Sequence, residues 1–173
     1  MYLLLVSLLS VISLGFFPHQ DFSWKVYSSA EGLFAAEMPG ELKTSIVVTD
    51  TPKSRLLTHI VSATDEELNE YMVSWTQYDR DSIEHRATEA TFNRMRDALV
   101  AAKQGTIVNE PAITMRGHPA RAVNFTHSNG RVVQARFYFV RNRIYQVVFE
   151  SRSNDYPAER ERFFNSLNVL DKN

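Results

Sequence analysis

The chain has 173 residues, with 19 Lys and Arg against 20 Asp and Glu, a net charge of −1 and no cysteine. That length suits one domain, and the missing cysteine excludes disulfides, thiol nucleophiles and thiolate metal sites together. The near-neutral total hides a polarity: the balance is −6 up to Val100 and +5 from Ala101 onward, the second half being rich in arginine.

The first element is an apolar run from Tyr2 to Phe17 containing Ser13-Leu14-Gly15, after which polarity rises at His19, Gln20 and Asp21. It has the length of a secretory h-region and is short of a spanning helix, so residues 1–15 read as a signal peptide with Phe16 as the mature N-terminus. The alternative is an uncleaved anchor, since no Lys or Arg precedes the run. Both place residues 22–170, the folded domain, outside the cytoplasm: in a periplasm, at a cell surface or secreted. With no cysteine, that domain must be held by its apolar core.

Alternation marks strands at Phe22 to Ser28, Leu33 to Met38, Thr44 to Thr49, Leu56 to Ala63 and Tyr71 to Trp75, and this half reads as a meander. Pro39-Gly40 stops the second strand, and the acidic turn Thr64-Asp65-Glu66-Glu67 reads as solvated. The period then changes. Asp81 and Glu84 have capping-box spacing, and Phe92, Met95, Leu99 and Ala102 recur at three and four, with Glu89, Asn93, Arg96 and Lys103 on the wet side. This predicts a helix over about 82–104, closed by Gly105 as its C-cap. Strands resume at Thr106 to Val108, Ala112 to Met115, Ala120 to His127, Arg131 to Val140 and Ile144 to Glu150, with Gly117-His118-Pro119 as a turn. A short helix beginning near Asn154-Asp155, with Pro157 in its first turn, presents Phe163, Phe164 and Leu167. The order predicts an α+β fold, a largely antiparallel sheet with helices on its faces.

Four stretches carry a resemblance. They are Tyr27-Ser28-Ser29-Ala30-Glu31-Gly32-Leu33-Phe34 with Met38-Pro39-Gly40, Ile113-Thr114-Met115-Arg116-Gly117-His118-Pro119-Ala120, Arg143-Ile144-Tyr145-Gln146-Val147, and Phe163-Phe164-Asn165-Ser166-Leu167. Together they resemble the PsbP/Mog1 superfamily and its secreted bacterial relatives. The resemblance implies an α/β/α sandwich around an antiparallel sheet. Members include a photosystem II subunit and a nuclear-transport factor that binds a small GTPase; they share no active site, so the fold leaves function open.

The residues themselves carry no catalytic signature. His19, His59, His85, His118 and His127 are scattered without metal-ligand spacing, and no Gly-x-Ser-x-Gly elbow or phosphate loop occurs. Ser82 beside Asp81 and near His85 reads as a helix start. The expectation is therefore no cofactor, no metal and no nucleic-acid partner.

One constellation stands out, and it depends on register. If Asn129-Gly130 is a two-residue turn, Ser128 opposes Arg131, Phe125 opposes Gln134 and Val123 opposes Arg136. With a second two-residue loop after Val140, Arg121, His127, Gln134, Arg136, Tyr138 and Tyr145 share one side of the sheet. Val133, Ala135, Phe137, Phe139, Ile144 and Val148 then form a core face. The polar row would line a groove for a small anionic or aromatic ligand. Alternatively, Arg136 spreads its stem over Val147 and Phe149 and pairs with an acid from a covering helix. The reading is a non-enzymatic extracytoplasmic binding or assembly module for such a ligand or an unidentified protein partner. Its alternatives are an enzyme converging on His118, His127, Arg121 and Arg136, or a membrane-anchored envelope interaction protein.

Overall fold

The computed structural model describes residues 22–52, 54–79 and 89–170. The N-terminal apolar run with its cleavage point, His19, His85, and the Asp81/Glu84 capping box lie outside the described residues.

Period-two patterning produces two antiparallel sheets. In the smaller, β1 (Trp24–Ser29) pairs with β2 (Phe34–Pro39), and β10 (Asn168–Val169) adds to the other edge of β2. The larger has seven strands: β3 (Lys43–Asp50), β4 (Arg55–Thr64), β5 (Glu70–Gln77), β6 (Thr106–Asn109), β7 (Ala120–Thr126), β8 (Val132–Val140) and β9 (Arg143–Ser151). Their spatial order is β3-β4-β5-β9-β8-β7-β6. The meander expected of the first half therefore holds for β3 to β5, while β1 and β2 split away. Gly40, at a φ of 67°, makes that break and donates its N–H to the Ser23 carbonyl.

Helix α1 (Glu89–Ala102) covers one face of the large sheet. Phe92 is buried and meets Phe139 edge-on at 4.9 Å; Met95 and Leu99 pack beside Val123, Phe125, Val133, Ala135 and Phe137. The predicted stripe is right for those three. Ala102 is exposed, and Arg96, expected in water, is largely covered because it reaches Glu110 at 2.7 Å. The helix ends in a Schellman turn, with Gly105 N–H to the Val100 carbonyl and Gln104 N–H to the Ala101 carbonyl. The left-handed residue is Gln104, at a φ of 47°, so Gly105 is not the C-cap it was expected to be. Gly105 serves close approach instead: a Cβ there would lie 2.5 Å from the Phe125 ring.

The opposite face of the large sheet packs on the small sheet and on α2 (Pro157–Ser166). Phe34, Met38, Tyr71, Val73, Tyr145, Val147 and Phe163 are almost or entirely without exposed surface. The layers run helix, seven-stranded sheet, then helix with small sheet, so the α/β/α sandwich carries an added sheet in its second outer layer. The expected strand at Ala112 to Met115 is absent. A single bridge joins Met115 to His118 around Arg116 and Gly117, both at positive φ, so the two-residue turn forms but its pairing does not extend back along 112–114.

Candidate functional site

The polar row predicted for the C-terminal hairpins is brought together in part. Across β8 and β9, Tyr138 faces Tyr145, Arg136 faces Val147 and Gln134 faces Phe149, as the two-residue loop Arg141-Asn142 requires. Across β7 and β8 the register is one residue off the expectation. His127 N–H bonds the Arg131 carbonyl and Gly130 N–H bonds the His127 carbonyl, so the loop is three residues long, Ser128-Asn129-Gly130, with Gly130 at a φ of 84°. Phe125 thus pairs with Val133 and Val123 with Ala135. A one-residue slip exchanges the faces of a strand. Arg121 pairs with Phe137 and turns to the α1 side, away from Arg136. His127 stands at the hairpin tip, its Nδ1 accepting from the Asn129 N–H at 3.0 Å. An enzyme site converging on His118, His127, Arg121 and Arg136 is therefore not formed: the two arginines are on opposite faces, and His118 is in the Met115 turn.

Arg121, His127, Arg136, Tyr138 and Tyr145 each have a protein partner. Tyr145 is buried and donates to the Gly32 carbonyl at 2.6 Å, pinning the β1–β2 turn to the large sheet. The Tyr138 phenol is raised above its ordinary value by burial, with the Arg136 charge and hydrogen bond pulling the other way. The Arg136 guanidinium sits 4.0 Å over the Phe164 ring and 3.9 Å from Glu161, both from α2. On the other face, Arg121 bonds Glu110 at 2.9 Å, Asn93 at 3.3 Å and Glu89, and its guanidinium is stabilised as a cation chiefly by Glu89. Glu110 also takes Arg96, so two arginines share one carboxylate.

Three further arrangements escaped the sequence. Asp65 was read as part of a solvated turn, yet it is buried and accepts four hydrogen bonds: Glu67 N–H, Asn69 N–H, Asn69 Nδ2 and the Tyr71 hydroxyl at 2.7 Å. The Asp-x-x-x-Asn spacing was the available signal. Glu150 is buried between Lys103 Nζ at 2.6 Å and Arg131, whose Nε lies 2.9 Å away without hydrogen-bond alignment. His59 Nε2 is 3.3 Å from Glu31, and its ring stacks on Trp75 at 4.8 Å, in a cleft of about 270 Å³ that Arg55, Gln77, Tyr78 and Asp79 also line. Among the described residues no three metal-ligating side chains are grouped, and no helix is long and apolar enough to cross a membrane.

The most exposed apolar feature is β3. All eight of its residues are exposed, including Ile46, Val47 and Val48 in succession. Ile46 and Val48 project to one side and Val47 to the other, and Leu57, opposite Val48, extends the first side. Among the described residues the strand is an outer edge of the large sheet, with one row of backbone groups unpaired.

No family model and no curated protein matches the chain. Among solved structures, the chain is similar to the solution structure of cyanobacterial PsbP (CyanoP) from Synechocystis sp. PCC 6803, with a TM-score of 0.60 over 92% of this chain and 97% of that one, at 15% identity. The fold is PsbP-like. A crystal structure of a Pseudomonas aeruginosa protein of unknown function, PA94, described as a putative regulator, is matched at a TM-score of 0.38 and 14% identity over 79% of this chain and 88% of that one. The PsbP-like match agrees with the resemblance read from the four sequence stretches and extends it over the sheet order.

Proposed function

We propose that this chain is a non-enzymatic extracytoplasmic module that binds or assembles with a protein partner by strand addition at β3. The observation that carries the reading is the wholly exposed edge strand with apolar side chains on both of its faces. A flat partner would cover one side and leave the other wet. An extended segment pairing with the edge covers both and satisfies the backbone groups at once. Lys43 and Asp50 stand at the ends of the strand, where charge limits unspecific pairing. The PsbP-like fold and the apolar N-terminal run support the location.

The test is a photo-crosslinking residue at Val47 in the native host, with size-exclusion and light scattering on the purified chain. A discrete adduct that disappears in Ile46→Lys while the melting curve stays in place is expected. An adduct with a second copy would make the partner this chain itself; no adduct, and a monomer throughout, would defeat the proposal. An enzyme remains a second reading because His59 and Glu31 form a histidine–carboxylate pair in a cleft. Turnover of an ester or amide panel that vanishes in His59→Gln would favour it.

A further inference from the structure

The backbone of β3 settles which of its groups face outward. The Thr51 N–H donates to the Ser54 carbonyl at 2.9 Å, so these two residues continue the β3–β4 register as a hydrogen-bonded pair. Hydrogen-bonded and non-hydrogen-bonded pairs alternate along an antiparallel ladder. Thr49, Val47, Ser45 and Lys43 therefore bond to β4, while Thr44, Ile46, Val48 and Asp50 aim their N–H and C=O groups away from it. Among the described residues no strand takes up that outer row.

The strand also reads nearly alike in both directions about Val47: Ile46 mirrors Val48, and Ser45 mirrors Thr49. A second copy related by a two-fold axis normal to the sheet runs antiparallel, and residues that face each other share a side. An axis through Val47 sets Val47 against Val47, Ile46 against Val48 and Ser45 against Thr49. An axis through Ile46 would set Val47 against Ser45 and Val48 against Thr44; one through Val48 would set Ile46 against Asp50. The Val47 register alone joins all three exposed apolar residues to apolar ones. The ends match as well. Antiparallel pairing lays the Lys43 end of each strand beside the Asp50 end of the other, where Asp50 meets Arg55 of its own chain at 3.5 Å in the open.

We infer that β3 pairs with β3 of a second copy of this chain, antiparallel about a two-fold axis through Val47. The inference rests on the strand-addition reading and names its partner. Two seven-stranded sheets become one through about eight new backbone hydrogen bonds, two from each of the facing outward pairs. Ile46, Val48 and Leu57 of both copies then form one apolar strip on one side, and the two Val47 side chains cover each other on the opposite side. The other outer edge does not compete: β6 has four residues, and its pairing with β7 breaks between Ile107 and Asn109, which blunts it. A like-with-like contact closes at two copies instead of growing into a filament. One strand a side buries less than the roughly 1,200–2,000 Å² of a stable complex, so this dimer exchanges with monomer.

The chain has no cysteine, so a single introduced thiol reports the pairing without background. Facing residues of a non-hydrogen-bonded pair have Cα atoms about 4.5 Å apart, within the span of a disulfide. Under mild oxidation of the full chain, Val47→Cys should link into a dimer far faster than Val108→Cys, which is exposed on β6. Adding Ile46→Lys to Val47→Cys should slow the linkage roughly tenfold with the melting curve in place. Light scattering of the wild type should pass from monomer at about 1 μM to dimer at several hundred μM. Faster linkage through Ile46→Cys or Val48→Cys than through Val47→Cys would refute the register. A wild type monomeric throughout, with Val47→Cys no faster than Val108→Cys, would overturn the inference. The photo-crosslinker at Val47 then separates the two failures: an adduct with a different protein keeps strand addition and replaces the partner, whereas no adduct, or one to residues 1–21 of the same chain, removes both.

Discussion

Replacing Arg136 by alanine tests the C-terminal face directly, because the size of the loss depends on what the guanidinium touches. Three contributions are removed. The ion pair to Glu161 spans 3.9 Å, and Glu161 is about half exposed, also facing Arg160 at 3.4 Å; such a pair contributes about 0–1 kcal/mol. The cation over Phe164 at 4.0 Å adds roughly 0.5–2 kcal/mol, since the arginine side chain is only 23% exposed. The covered stem adds about another 1 kcal/mol of apolar burial. The sum is about 1.5–4 kcal/mol, centred below the roughly 3–5 kcal/mol of a stranded buried acid, because Glu161 regains water when its partner leaves. Urea melts of wild type, Arg136→Ala, Glu161→Gln and the double variant give both the loss and the coupling. A coupling under about 1 kcal/mol is expected. A loss below about half a kcal/mol would mean that α2 is not docked on this face; a coupling above about 3 kcal/mol would mean a dry ion pair and refute the geometry.

Glu150→Ala should destabilise by about 3 kcal/mol in denaturant melts, because Lys103 and Arg131 lose the buried carboxylate between them. Gly105→Ala should cost about 1–3 kcal/mol through the approach to Phe125, and pairing it with Phe125→Leu should recover part of the loss. Burial and Asp65 raise the Tyr71 phenol above its ordinary 10.0, so the unfolded chain ionises first. Tyr71 therefore contributes stability that is complete below about pH 10 and is lost above it, at about 1.4 kcal/mol per pH unit. Melts across the alkaline range should fall less steeply in Tyr71→Phe.

Most of the strands were legible because unequal burial of the two sides of a pleated surface imposes period two, and β8 shows it from Val132 to Phe137 before burial becomes continuous. Loop length was harder. Asn129-Gly130 fits either a two-residue turn or a three-residue loop with glycine last, and hydrophobic pattern does not separate them when both faces of the sheet are covered. That one residue moved Arg121 and His127 off the predicted row. Capping at Gly105 failed for a related reason: glycine is permitted by a left-handed backbone and equally by a tight contact, and only packing against Phe125 tells which. The acidic turn looked solvated because carboxylates usually are; the spacing of Asp65 and Asn69 was the one local sign that Asp65 would gather four donors.

The strand order has a consequence for how the chain assembles. β3, β4 and β5 are neighbours in sequence and in space, and so are β6, β7, β8 and β9; the two ribbons meet only where β5 pairs with β9. Each ribbon can zip from its own turns, but the seam closes across about seventy residues, and loop closure makes it the slow event. The division falls close to the point where the charge balance changes from acidic to basic. Two half-built ribbons of opposite sign attract each other before any seam hydrogen bond forms, and Glu70 beside Arg131, together with Gln77 beside Arg143, joins them at both ends. The polarity that nearly cancels in the finished protein thus acts while it is still in two pieces.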